Sequence, residues 1–223
     1  MEPLTLIINQ MINTGIYPDL LKISKVIPLY KKDDKTILSN YRPISLLPSI
    51  SKIFEKVMHL QLSEHLENNN LIYPNQYGFR KKHSTEMASL HLVDYLNYEM
   101  DTGNTPLNIY LDLSKAFDTL NHDILLAKLK FYGLSGISLN LLYSYLTNRK
   151  QFVQFEDTKS ELLNINHGVP QGSILGPLLF IIYINDFPNS SELLNFLMYA
   201  DDTTLYCSLD SIKSENIETT INN

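Results

Sequence analysis

The sequence predicts an α+β fold, and three observations carry that prediction. Ile50, Ile53, Phe54, Val57 and Leu66 recur near the spacing that lines one face of a helix. Leu107, Ile109, Leu111 and Leu113 alternate, as residues on one face of a strand do. Two runs rich in aromatic, β-branched and aliphatic residues, 193–198 and 203–207, flank Tyr199-Ala200-Asp201-Asp202 like the arms of a hairpin.

Taken along the chain, the helix around Phe54 ends at the Asn68-Asn69-Asn70 cluster, and a second helix from Ala88 to Met100 stops near Gly103. The strand through 106–113 follows and leads through a turn at 114–119 towards a third helix, Ile124 to Tyr132, closed by Gly133. Leu139 to Leu146 makes a fourth. Gln151 to Phe155 alternates and pairs across a Glu156-Asp157 turn with Leu162 to Ile165. The Gly/Pro-rich stretch 168–177 opens onto Leu178 to Ile184, an apolar run too short to cross a bilayer and therefore a buried helix. The polar tail from Asp210 to Asn223 is expected to begin one more helix.

Three places carry chemistry. Asp201 and Asp202 are like charges side by side at a turn, which either water or a cation must screen; a solvated turn and a metal-binding tip are both open readings of that pair alone. Asp112 lies on the face of its strand opposite Leu107, Ile109, Leu111 and Leu113, near the C-terminal end where α/β folds commonly place reactive groups. Mg²⁺ prefers hard oxygen ligands and keeps places for phosphate and water, which suits Asp112 together with Asp201. Gly168-Val169-Pro170-Gln171-Gly172-Ser173 reads as a loop-to-helix junction that lets backbone approach a phosphate, or as an ordinary connection capped by Ser173.

The order Asp112-Leu113-Ser114-Lys115-Ala116-Phe117-Asp118, then 168–177, then Tyr199-Ala200-Asp201-Asp202 resembles the reverse transcriptases of non-LTR (LINE-type) retrotransposons. Asn40-Tyr41-Arg42-Pro43-Ile44-Ser45-Leu46-Leu47 and 76–85 resemble that family's fingers motifs. The resemblance implies a right-hand polymerase fold, with a fingers-like region over 1–105, a palm over 106–223, and the thumb absent. It implies an RNA-directed DNA polymerase that uses two Mg²⁺ ions, with Mn²⁺ as a substitute, and takes an RNA template, a DNA primer and a dNTP. Asp112, Asp201 and Asp202 would be catalytic and, with the Leu113 carbonyl, would ligate metal. Lys32, Arg42, Leu113, Phe117, Gln171 and Gly172 would bind nucleotide, Phe117 as the bulky gate against a ribose 2′-hydroxyl. Either Lys31 or Lys32 would reach the triphosphate. Arg80, Lys81 and Lys82 would bind nucleic acid. A lysine-bearing palm segment and a thumb are expected after the hairpin and an endonuclease upstream, so the chain reads as a truncated open reading frame. The alternative function is a catalytically silent remnant with residual nucleic-acid or nucleotide binding, and a two-metal nucleotide cyclase is the third.

Charge and composition fit these expectations. The 223-residue chain is 44% apolar and carries net charge −6, which argues against a protein that simply coats nucleic acid. The charge is unevenly spread: 11 Lys/Arg stand against 7 Asp/Glu up to Lys82, and 7 against 17 beyond it. The six histidines show no zinc-ligand spacing, and a single cysteine excludes an internal disulfide. The N-terminus lacks a cationic segment with a cleavage site, so the expectation is an intracellular protein, nuclear or cytoplasmic, with no membrane and no disulfide-linked partner.

Overall fold

Helices and two sheets alternate along the chain. A computed structural model describes residues 2–113 and 115–209. The elements in order are α1 (Glu2–Thr14), β1 (Ile23–Tyr30), β2 (Tyr41–Leu46), α2 (Ser49–Asn68), α3 (Thr85–Asp101), β3 (Pro106–Leu111), α4 (His122–Phe131), α5 (Gly136–Leu146), β4 (Arg149–Phe155), β5 (Thr158–Lys159), β6 (Leu163–Ile165), α6 (Gly176–Ile184), β7 (Asn195–Tyr199) and β8 (Asp202–Ser208). These gather into two compact units that interleave in sequence. The first takes the chain up to Leu71 and again from Lys115 to Tyr183; the second begins at Ile72 and resumes at Ile184.

In the first unit the sheet runs β2-β1-β4-β5, with β6 also on β4. β1 is antiparallel to β2 and parallel to β4. The expected β4 hairpin forms, but its tip is closed by β5: Gln154 pairs with Lys159, whereas Arg149 pairs with Ile165. The register shifts by one residue between those pairs, which is the signature of a bulge in the returning strand. Phe54, Leu62 and Leu66 of α2, Leu125 and Leu129 of α4, Leu141, Leu142, Tyr145 and Leu146 of α5, and Leu179 and Phe180 of α6 are all buried. The Tyr17 ring meets Phe54 at 5.0 Å and Tyr145 at 5.1 Å. Each such aromatic withdraws enough apolar surface to contribute about 1.5–3 kcal/mol. α6 is apolar on all sides and buried accordingly, as expected of the run 178–184.

The second unit is built on the order β3-β8-β7, antiparallel throughout. Ala88 of α3 packs with Leu197 and Tyr206, flanked by Tyr77, Leu92, Tyr95 and Tyr199. His91 bonds the Tyr77 hydroxyl through Nδ1 and the Tyr206 hydroxyl through Nε2, both at 2.9 Å. A neutral imidazole has one donor and one acceptor, so one tyrosine gives its proton to the ring and the other receives. Burial pushes the Tyr206 hydroxyl up to about 12. The polar tail from Asp210 lies outside the described residues, as does Ser114. Among the described residues, no helix is long and apolar enough to cross a membrane.

Candidate active site

β7 and β8 pair as far as Tyr199↔Asp202, which leaves Ala200 and Asp201 as a two-residue turn. Ala200 sits at φ 59°, in the left-handed region where an L side chain costs about 1–2 kcal/mol. Its surroundings over-determine that conformation. The segment 75–78 runs beside β7, with Tyr77 N–H donating to Met198 O at 2.8 Å and Met198 N–H to Asn75 O at 2.9 Å. Gln76, buried, accepts at Oε1 from the N–H groups of both Ala200 (3.0 Å) and Gly78 (2.8 Å).

The third carboxylate reaches the same hairpin through strand register. β3 pairs with β8 up to Leu111↔Thr203; Asp112 is the residue that follows that pair on one strand, and Asp202 the one that precedes it on the other. Asp112 and Asp202 are exposed and Asp201 is half-buried. Among the described residues, no group of three or more His, Cys, Asp or Glu side chains is placed to hold a metal ion. The donor set is nonetheless suited to a hard divalent cation that takes one or two protein carboxylates and completes its shell with substrate and water. Leu113 follows at the edge of this unit, exposed.

The first unit holds the other candidates on two loops that are stitched together. Val169 N–H donates to Phe117 O at 2.9 Å, and Gly168 N–H to Leu120 O at 2.7 Å. Gly168, at φ 78°, lies so close that a Cβ there would meet Asp118 O at 2.7 Å. The buried His122 donates through Nε2 to Gly168 O at 2.7 Å, and burial holds its imidazole below the usual histidine range although that bond pulls the other way. The half-buried Phe117 stacks on Phe180 at 4.7 Å. Gln171 donates through Nε2 to both carboxylate oxygens of Asp118, at 2.8 and 3.0 Å. Its own carbonyl accepts from Ser45 N–H of β2 at 2.7 Å, and the neighbouring exposed Gly172 passes 3.0 Å from Ser45 O, measured from where a Cβ would stand. Beyond it Ser173 Oγ accepts from Gly176 N–H at 3.0 Å, so the junction is capped as its sequence suggests. The fully buried Glu55 of α2 accepts from Ile174 N–H at 2.7 Å and from the Tyr145 hydroxyl at 2.8 Å. Burial raises the Glu55 carboxyl above its usual range, with those bonds and Arg149 opposing.

The basic candidates divide. Lys32 and Arg42 are exposed, Arg42 opposite Leu29 in β1. Lys81 and Lys82 are exposed as well. Arg80 is half-buried, and its Nη1 donates to the carbonyls of Tyr73 (3.2 Å), Pro74 (3.4 Å) and Gln76 (3.1 Å), so part of its fork holds the loop that carries Gln76.

Residues 29–222 match the family model described as reverse transcriptase (RNA-dependent DNA polymerase). The chain belongs to the reverse transcriptase family. It is 35% identical over 187 residues to a probable RNA-directed DNA polymerase from transposon X-element of Drosophila melanogaster, covering 83% of this chain and 20% of that protein. It is 31% identical over 217 residues to the RNA-directed DNA polymerase from mobile element jockey of the same species, covering 94% and 24%. The chain thus spans about a fifth to a quarter of the length of these relatives. The fold also matches solved telomerases. The apo enzyme from Candida tropicalis truncated from its C-terminal domain gives a TM-score of 0.64 at 13% identity, over 93% of this chain and 48% of that one. Telomerase from Candida albicans in complex with a telomeric RNA fragment gives 0.63 at 14%, over 93% and 41%. The expected membership and the expected reverse-transcriptase-like α+β fold both stand.

For this reverse transcriptase domain, the sequence pattern marks the carboxylates and the two loops but misses what holds them. Gln76 and Gly78 read as part of a fingers motif, yet they bind the Asp201 turn. Asp118 reads only as the last residue of the motif that begins at Asp112, and its carboxylate engages Gln171. Glu55 is one of several charged residues along a helix and does not stand out. Its only local signal is a charge on the apolar stripe of α2, between the buried Phe54 and Met58.

Proposed function

We propose that this domain is the core of an RNA-directed DNA polymerase. The single observation that supports the reading is the strand register that brings β3, at whose end Asp112 follows, alongside β8 of the hairpin that carries Asp201 and Asp202. In this reading Asp112, Asp201 and Asp202, with the Leu113 carbonyl, hold two Mg²⁺ ions, for which Mn²⁺ substitutes. Bound there, such ions supply charge stabilisation for the attacking and leaving oxygens of an in-line phosphoryl displacement. The primer 3′-hydroxyl would give its proton to solvent water while its oxygen bonds to the α-phosphorus of a dNTP chosen by the RNA template, and the bond to pyrophosphate breaks as pyrophosphate leaves. The protein's own contribution is placement. Phe117, packed on Phe180, presents a ring that rejects a ribose 2′-hydroxyl. Gln171 and Gly172 contact the incoming nucleotide, Lys32 and Arg42 its triphosphate, and Arg80, Lys81 and Lys82 the nucleic acid. Residues 1–105 then serve as fingers and 106–223 as palm, working in the nucleus or cytoplasm. The nucleic-acid partner is supported by the relatives named as RNA-directed DNA polymerases and by the telomerase neighbour solved with RNA.

Primer extension on an RNA template with Mg²⁺ and dNTPs tests the reading. Extension by this chain that Asp201→Ala abolishes is the expected result. A folded chain that extends nothing, or an Asp201→Ala variant that extends as well as the parent, would sink it.

A further inference from the structure

We propose that Gln76 and Gly78 are positioning residues that aim the Asp201 carboxylate by clamping the Ala200 turn. The inference rests on the polymerase reading of Asp201 and adds a device that the carboxylate pattern does not contain. Both partners of Gln76 Oε1 are main-chain N–H groups, which can only donate, so the orientation of the amide is fixed by chemistry. Gln76 is 1% exposed, and its Nε2 has no hydrogen-bond partner among the described residues. A buried donor left unpaired is costly, and an apolar side chain of the same volume would fill the space without that cost. Packing therefore does not account for a glutamine here; the two bonds from Oε1 do.

Gly78 supplies the other jaw. Its φ is not in the left-handed region, so its backbone conformation does not call for glycine. A Cβ at that position would lie 2.3 Å from Ala200 N, 2.9 Å from Tyr199 C and 3.0 Å from Ala200 Cα, all main-chain atoms with no freedom to swing aside. Glycine is required only because the turn lies against it. The turn needs such restraint because Ala200 holds φ 59° without being glycine, and the residue it hands the chain to is Asp201. Released, Ala200 relaxes towards negative φ and carries the Asp201 carboxylate away from its position on the hairpin. A shift of well under an ångström is enough to degrade a metal or catalytic ligand.

The test uses the full chain with Gln76→Met, which removes the acceptor at similar volume, Gly78→Ala, and Gln76→Met combined with Ala200→Gly. Mn²⁺ affinity is read by electron paramagnetic resonance, and primer extension by kcat and dNTP KM, each well below the variant's melting midpoint. Gln76→Met and Gly78→Ala are expected to weaken Mn²⁺ binding and lower kcat by about tenfold, with dNTP KM unchanged. Ala200→Gly is expected to recover most of the Gln76→Met loss, because glycine keeps the left-handed turn unaided. A folded Gln76→Met chain with parental Mn²⁺ affinity and kcat overturns the clamp, as does a loss that Ala200→Gly leaves untouched. If Gly78→Ala does not fold, the glutamine variants decide the matter alone. A parent chain that binds Mn²⁺ no better than Asp201→Ala and extends nothing instead overturns the polymerase reading, and the clamp's proposed role with it.

Discussion

Asp118 takes both hydrogen bonds of Gln171 Nε2 across 53 residues of sequence, at 2.8 and 3.0 Å. That pairing fixes which end of the amide faces Asp118 and, in the polymerase reading, leaves Oε1 to accept from the nucleotide. Asp118 is exposed and Gln171 only half-buried, so water screens the interaction and its worth is small. Asp118→Ala should therefore raise the KM for dNTP by about three- to tenfold with little change in kcat, because the glutamine loses orientation and no charge on the reacting atoms is lost. Asp118→Asn keeps an acceptor and should stay nearer the parent. Steady-state extension kinetics separate the outcomes, and a fall in kcat at constant KM would instead tie Asp118 to the chemical step. Nothing in the local sequence could reveal this pair, since the run Asp112 to Asp118 shows only a second acid with a lysine nearby.

At the scale of elements, α2 reaches the start of α6 through one side chain. Glu55 accepts from Ile174 N–H and from the Tyr145 hydroxyl, so a carboxylate meets the open N–H groups at the entrance of a helix. Burial raises its folded pKa above the ordinary value of about 4.5. A raised folded pKa means that the folded state holds the proton more tightly than the unfolded chain. The contribution is complete below about 4.5 and is lost as pH rises through the folded value. Urea unfolding at stepped pH should show the stability gap between the parent and Glu55→Gln shrinking as pH rises across that window, from about 1–3 kcal/mol at its acid end. A gap that stays constant or widens with pH would contradict the raised pKa. Helices such as α2 and α6 are legible in sequence because their apolar period, or their unbroken apolar run, is a local property. The strands β1 and β2 are not. Each carries a proline, and Pro28 faces Pro43 across the pair, which removes the uninterrupted pattern that identifies a strand. The tip of the β4 hairpin departs from its expected pairing for a related reason: its bulge changes register without leaving a distinctive residue.

Over the whole molecule, chemistry and support are legible to different degrees because they have different range. Asp201 and Asp202 are neighbours in sequence, and Asp112 ends a strand whose alternation is visible, so the candidate acids can be named from the chain alone. Gln76, Asp118, His122 and Glu55 act through partners between 46 and 124 residues away, which no local pattern encodes. Charge is the one global property that sequence reports directly, and it bears on how the domain would meet nucleic acid. The chain is net −6, yet its basic residues collect before His83, where Lys81 and Lys82 stand exposed. A net-acidic protein should bind a primer–template through a few discrete phosphate-binding side chains rather than through a general attraction. Removing one cation that neutralises a phosphate flattens the dependence of log affinity on log salt by about 0.7–0.9. Lys81→Ala with Lys82→Ala should therefore reduce that slope by about 1.4–1.8 in fluorescence-anisotropy titrations across salt concentration, and weaken binding alike for templates of different sequence. An unchanged slope would return both lysines to the role of solvated surface and shift the phosphate binding to Lys32, Arg42 and the other basic residues of the first unit.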